Sequence, residues 1–425
     1  MSVLEDEAVV LAQELIRIPT VNTGDPATIG DGETRAIRFV QERLEEVGLR
    51  PAFGEAVPGR GNLVVRIPGS DRSRGALVAH AHVDVVPVLE EGWTHPPFEG
   101  GIHDGAIWGR GALDMKGYAA VLVAVARELA REGVVPRRDL ILAFFSDEEA
   151  GGVHGAGWVR RHRPEWLAGA TEAIGEVGGF SATIGDRRAY LVATGEKGSG
   201  AIRFTARGRA GHASDPSPDA AVPRLARAIA AVAGHRFPVV PTATTRVFAE
   251  HVSRLLGRTI TAEDLPSVRA ELGGAATVAE LGLRHSAAAT VVRAGLKANV
   301  IPGEATAEVD VRSLPGLDDE ARDAVLALAG DGVEGEARGW IRSIESPVDS
   351  PLLDVLQAAI AAEDPDGVVV PYLLPARPTT RPSPGSGSRA TASSHSAPLR
   401  TSTPTACSTR LTSAFRSSRS DSAPA

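Results

Sequence analysis

In the first 150 positions of this chain, apolar residues alternate between helical spacing and short continuous runs. Val3 to Arg17 and Glu33 to Val47 show helical spacing. The second places Ala36, Ile37, Val40, Leu44 and Val47 on one face, with Gly48 as its C-cap. Asn62 to Ile67 reads as a strand, and Ala76 to Ala79 as a buried strand leading into His80 and His82. Gly117 opens an Ala-rich helix from Tyr118 to Glu132. Arg138 to Phe145 is another apolar strand, carrying Ser146, Asp147, Glu148 and Glu149 at its carboxyl end. Strands alternating with helices predict an α/β fold with a mainly parallel sheet, where ligands bind at the carboxyl ends of the strands.

Beyond Gly195 the pattern changes. A strand (Gly200 to Arg207) and a helix (Ala220 to Ala233) precede a long irregular stretch. Strands at Ala289 to Ala294 and Glu304 to Arg312, a helix at Asp318 to Leu328 and a strand at Glu336 to Ile344 follow. That β-α-β-β-α-β order predicts a ferredoxin-like α+β domain inserted in the first. The expected division is a catalytic domain over 1–194, an inserted domain over 195–345, and a return to the catalytic domain over 346–375, where Leu352 to Ala362 resumes helical spacing. Residues 376–425 read as a separate, aberrant Ser/Thr/Pro/Arg-rich tail expected to be disordered.

Composition narrows the function classes. With 425 residues and 43% hydrophobic content the chain can bury a large core. There is no apolar run of membrane-spanning length, and the N-terminus is acidic where a signal peptide would be basic. One cysteine, Cys407, allows neither an internal disulfide nor a thiolate metal cage, and a cytoplasmic protein is expected. A net charge of −8 speaks against nucleic acid as a partner. The charge is uneven. The last 50 residues hold seven Arg, one Asp and 21 Ser or Thr. With the whole chain at −8 and this tail at +6, the preceding residues carry −14.

Four stretches set carboxylates and imidazoles where apolar runs end: Ala79 to Pro87 (His80, His82, Asp84), Gly111 to Gly117 (Asp114), Phe145 to Gly152 (Asp147, Glu148, Glu149) and Ile174 to Gly179 (Glu176). Zinc accepts imidazole nitrogen and carboxylate oxygen, and a pair of such ions needs a shared carboxylate. Each stretch alone has an ordinary reading. His82 and Asp84 could be a buried hydrogen-bonded pair, Asp114 a helix N-cap, and Glu176 a loop acid. Asp147 to Glu149 could be a surface acidic run, but they emerge from the apolar Leu140 to Phe145, which counts against solvent exposure. Neither a His-Glu-x-x-His motif, a Gly-x-Ser-x-Gly elbow nor a Walker loop is present.

Taken together and in this order, the motifs resemble the M20 family of metallopeptidases and amidohydrolases, over roughly residues 5 to 375. The resemblance implies that His82 binds a first metal while Asp84 orients its ring. It implies that Asp114 bridges two metals, Glu148 is the general base, Glu149 ligates the second metal and Glu176 the first. His80 is read as structural. In Gly211-His-Ala-Ser214 the family pattern makes His212 an oxyanion- or carboxylate-binding residue that reaches a partner subunit's site. Asn299 and Arg312 resemble the family's substrate-binding pair, and Lys197 is a further candidate. The implied cofactor is zinc, two ions, with cobalt or manganese as substitutes. The implied substrate is a small N-acylated amino acid or short peptide, and the implied assembly is a homodimer through the inserted domain. A catalytically silent relative that binds ligands or partners is the competing reading, and metal content distinguishes the two.

The chain departs from the family at its end. The family's last metal ligand, a His after Phe, and the Gly-Thr-Asp loop before it are missing, and His395 has the wrong context. A one-base slip of the reading frame near Pro375 accounts for both. Codons built from the last base of one triplet and the first two of the next allow Gly-x-Thr-Asp-Asp from Ala376 to Thr380. They also allow Phe-His across Cys407, Ser408 and Thr409. On this reading the second metal is held more weakly, and the chain as written is poorly folded and weakly active.

Overall fold

A computed structural model describes residues 3–375 and 389–390 of the chain. The expectations concerning His395, Cys407 and the rest of the tail lie outside the described residues. The first sheet runs in the order Ala52–Glu55, Gly61–Ile67, Leu140–Phe145, Ala76–His82, Ala170–Ile174, Arg389–Ala390. The first two joints are antiparallel and the other three parallel. The expected mainly parallel sheet is therefore a mixed one. A short turn around Gly59 joins the first two strands and permits only antiparallel pairing between them, and Gly61–Ile67 also runs against Leu140–Phe145 across a long connection.

Both faces of this sheet are covered, as the unbroken apolar run from Leu140 to Phe145 requires. Leu140, Leu142 and Phe144 face a core shared with Leu11, Leu15, Ile37, Leu44 and Val123, on the helices Val3–Ile16, Gly32–Glu45 and Lys116–Arg131. Ile141, Ala143 and Phe145 point the other way, against Val159, Trp158 and Trp166. Three apolar strands thereby end side by side, at His82, Phe145 and Ile174, with their polar continuations on one edge.

A second sheet was not read from the sequence. Its centre, Arg187–Glu196, pairs antiparallel with Gly178–Ile184 and Ile344–Glu345, and parallel with Val368–Leu374. The helix Ala243–Leu256 packs on it through Phe248, Ala249 and Val252, so residues 243–283 share a core with Leu191, Val370 and Tyr372. This helix lies in the stretch read as irregular. Its buried face starts with Thr244 and Thr245, which break the apolar stripe, although Thr242 closes a capping box with Thr245 and Gly257 ends the helix at φ 66°.

The third sheet has the order Ser286–Ala294, Glu304–Ser313, Gly198–Arg207, Val333–Ile341, and every pairing is antiparallel. The helices Ala221–Gly234 and Asp318–Ala327 bury Leu225, Val232, Ala321 and Val325 against Ile202, Phe204, Val309 and Val311. Among the described residues no helix is long and apolar enough to cross a membrane.

Candidate metal centre

His82 ends the Ala76–His82 strand, and its ring is fully buried. Its Nδ1 lies 3.0 Å from the backbone carbonyl oxygen of Asp84 and 3.4 Å from the Asp84 carboxylate. The nearer contact orienting the ring is thus Asp84's main chain, and its side chain is largely engaged elsewhere. One Asp84 oxygen accepts the Glu148 N–H at 3.0 Å; the other accepts the Glu149 N–H at 2.9 Å and Asn22 Nδ2–H at 3.0 Å. Asp84 therefore ties the strand-end histidine to the acidic turn.

That turn is strained. Asp147 has φ 65°, in the left-handed region that side chains other than glycine rarely occupy. Such a conformation persists only where its surroundings over-determine it, and here they do. The Asp147 N–H donates to Glu33 Oε2 at 2.8 Å, and its carboxylate accepts from the His154 N–H at 2.9 Å and Asn22 Nδ2–H at 3.3 Å. Arg60 ion-pairs with Glu33 and donates to Asn22 Oδ1 at 3.1 Å, and its Nε lies 3.6 Å from Asp147. Asn22, Glu33 and Arg60 are buried positioning residues that the sequence reading missed. They come from three separate segments, so no local spacing marks them.

Around His82 Nε2 the carboxylates converge: Asp114 at 3.1 Å, Glu176 at 3.9 Å and Glu148 at 4.0 Å. Two groups that include His82 have ligand atoms close enough to hold one ion, His82–Asp114–Glu176 and His82–Glu148–Glu149. Asp114 does not cap the following helix; the N-cap position is Met115, with no side-chain cap bond. His80, stacked obliquely on Phe145 at 6.1 Å, belongs to neither group. Burial and the neighbouring His82 push its pKa down to about 4.

The electrostatics suit a bound cation. Burial, then the Asp114 charge, lifts the Glu149 carboxyl to about 7. Burial, with Asp114 and Glu148 reinforcing it against His82, lifts Glu176 to about 10. For His82 burial alone would lower the pKa. Its hydrogen bonds to Asp114 and Asp84, with the charges of Asp84 and Glu148, outweigh that and hold it well above the ordinary imidazole value. One imidazole and four carboxylates packed this closely cannot all be ionised without a counter-charge, so protons stay on Glu149 and Glu176, and a divalent ion could take their place.

The structure places the remaining candidates elsewhere. His212 is exposed on a two-residue strand paired with Val300–Ile301, its Nδ1 2.9 Å from Ser214 Oγ. Asn299 sits beside it, accepting the Ala213 N–H at 3.2 Å through its carbonyl oxygen. His212 and Asn299 are thus neighbours, and neither belongs to the two clusters around His82. Arg312, on the central Glu304–Ser313 strand, is engaged by Asp310 at 2.8 and 3.1 Å. Lys197 is buried at the junction of the second and third sheets, and burial followed by the Arg312 charge brings its pKa down to about 8.

Two groups of potential metal ligands around His82 thus stand at the carboxyl edge of a mixed α/β sheet. The chain belongs to peptidase family M20/M25/M40, whose family model matches residues 78–371. It is 31% identical over 345 residues to a probable carboxypeptidase S-like 2 of Dictyostelium discoideum, an alignment covering 75% of this chain and 64% of that one. It is 29% identical over 351 residues to aminoacylase-1 of Sus scrofa, covering 81% and 76%. An M20 family metallo-carboxypeptidase from Sulfolobus solfataricus shares the fold, with a TM-score of 0.66, 18% identity and 91% coverage of each chain.

Proposed function

We propose that this chain is a metal-dependent hydrolase of an amide or peptide bond beside a carboxylate, acting on N-acyl amino acids or short peptides. The observation that carries this reading is the convergence of Asp114, Glu148, Glu149 and Glu176 on the buried His82. His82, Asp114 and Glu176 would hold one divalent ion, and Asp114 and Glu149 a second, with zinc the ion this donor set favours and cobalt or manganese as substitutes. Bound there, the ions would polarise the scissile carbonyl and acidify water.

The protein's own groups do the rest. Glu148 takes a proton from the attacking water and passes it to the leaving amine nitrogen. Asp84 holds the Glu148 and Glu149 backbone still while this happens. Residues 195–345 supply the lid and dimerisation domain. His212 would steady the oxyanion of a partner subunit's site, and Asn299 and Arg312 would bind the substrate carboxylate, Arg312 exchanging it for Asp310. The exposed edge strand Ser286–Ala294, with Val291 and Val292 outward, supports pairing of two copies there. Sedimentation showing only monomer would remove that part.

Activity on N-acetyl and N-succinyl amino acids and dipeptides, measured with the metal-loaded chain and after chelation, tests the function. A metal-replete chain that hydrolyses none of them sinks it.

The raised carboxyls set a pH dependence. In the metal-free fold Glu149 and Glu176 keep protons up to about 7 and about 10, and an incoming ion must displace them. Affinity therefore rises with pH, by about tenfold per unit for each proton displaced. Zinc competition titrations at pH 6, 7 and 8 should show that rise, and a flat profile would contradict the ligand assignment.

The altered C-terminus gives a separate expectation. A chain whose residues 376–425 are replaced by the alternate-frame sequence should hold a second zinc more tightly and turn over faster than the chain as written. Equal specific activity and metal content in the two forms would refute the expected impairment, and coding DNA without Gly-Thr-Asp and Phe-His in the alternate frame would dispose of the frame slip itself.

A further inference from the structure

The segment between Asp84 and Asp114 carries another set of metal-binding groups that the proposed chemistry does not use. The His95 and His103 rings are stacked, centroids 3.5 Å apart and planes within 5° of parallel. Glu99 Oε2 lies 3.4 Å from His103 Nε2. One ligand atom from each of the three falls within 4.8 Å of the others. A tetrahedral ion with bonds of about 2.0–2.1 Å holds its ligand atoms about 3.3 Å apart, so the Glu99–His103 separation already matches one edge of such a site.

The loop is built to present these groups. Gln13 Nε2–H donates to the Gly100 carbonyl at 2.7 Å, and Arg17 Nε–H to the Glu99 carbonyl at 3.0 Å. The Trp108 backbone N–H donates to the Gly101 carbonyl at 2.9 Å, and its indole N–H to the His103 carbonyl at 3.2 Å. The same indole meets His95 edge-on at 4.9 Å. The side chains gather over Gly101: a Cβ there would stand 2.6 Å from His103 Nε2 and 3.2 Å from the Glu99 carboxyl carbon. An alanine there would have to push both side chains out of their present positions.

We propose that His95, Glu99 and His103 form a further divalent-metal site, distinct from the His82 centre, that takes a borderline transition-metal ion such as zinc or cobalt. Two imidazoles and one carboxylate exclude the hard, oxygen-seeking calcium and magnesium. To share one ion the two rings must rotate out of their stack about their side-chain torsions, so that both nitrogen lone pairs converge, with water completing the tetrahedron.

Zinc binding to the untagged full chain tests this, compared with His103→Ala and Gly101→Ala. The second variant keeps all three ligands and only fills the space beneath them. Both should bind one zinc fewer, or bind it at least the roughly 10–100-fold more weakly that loss of even an outer-shell partner costs. Hydrolysis at saturating zinc should be unchanged. Metal-free melting curves matching that of the unsubstituted chain show that folding is intact. Unaltered zinc stoichiometry and affinity in either variant overturns the proposal.

Discussion

Replacing Glu148 with Gln should lower kcat by roughly 10²–10⁴-fold, the usual contribution of a positioned general acid–base group. The side chain is buried beside His82 and its backbone N–H is held by Asp84, so the amide fits the same space and keeps the same anchor. What is lost is the oxygen that accepts a proton. Zinc content should therefore stay within error of the unsubstituted chain while turnover collapses. That pairing separates a base from a ligand. Replacing Glu149 should instead reduce the metal content, because Glu149 is the neighbour assigned to ligation. If the Glu148 variant loses metal in proportion to activity, the two roles have been assigned the wrong way round.

Replacing Arg60 with Leu should destabilise the protein by about 3–5 kcal/mol, the cost of removing one partner from a buried ion pair. Arg60, Glu33 and Asp147 have side chains only 5%, 2% and 5% exposed. Without the guanidinium, two carboxylates are left in a site that water does not reach. The left-handed turn at Asp147 also loses part of what holds it, so kcat should fall together with the denaturation midpoint. Adding Glu33→Gln to the variant removes one stranded charge while keeping an acceptor for the Asp147 N–H, and should recover part of the stability. An Arg60→Leu chain that unfolds within about 1 kcal/mol of the unsubstituted one, as for an ordinary surface change, would show that the network is not structural.

How much could be read in advance depended on the range of the interaction. The strands at Ala76 and Leu140 and the helices at Val3, Gly32 and Lys116 were legible because a two-sided sheet demands continuous apolar runs and a helix on its face demands a stripe. The second sheet was not legible. Its strands lie at 178–196 and 368–374, far apart in sequence, and its covering helix begins its buried face with threonines. Likewise, no periodicity encodes the direction in which Gly61–Ile67 pairs with the distant Leu140–Phe145, the joint that helps make the first sheet mixed.

The sequence by itself determined that acids and a histidine follow apolar strands, and hence that they stand at strand ends where a ligand can reach them. Its motifs also carried the family. Tertiary structure alone decided which of these groups meet: His82 with Asp114, Glu148 and Glu176, but not with His80, two residues away on the same strand. It also brought Asn22, Glu33 and Arg60 beneath the acidic turn, and His95 over His103. The reason is physical. Local periodicity reports which face of an element is buried, whereas a metal cluster or a buried ion pair is fixed by distances between elements that only packing sets.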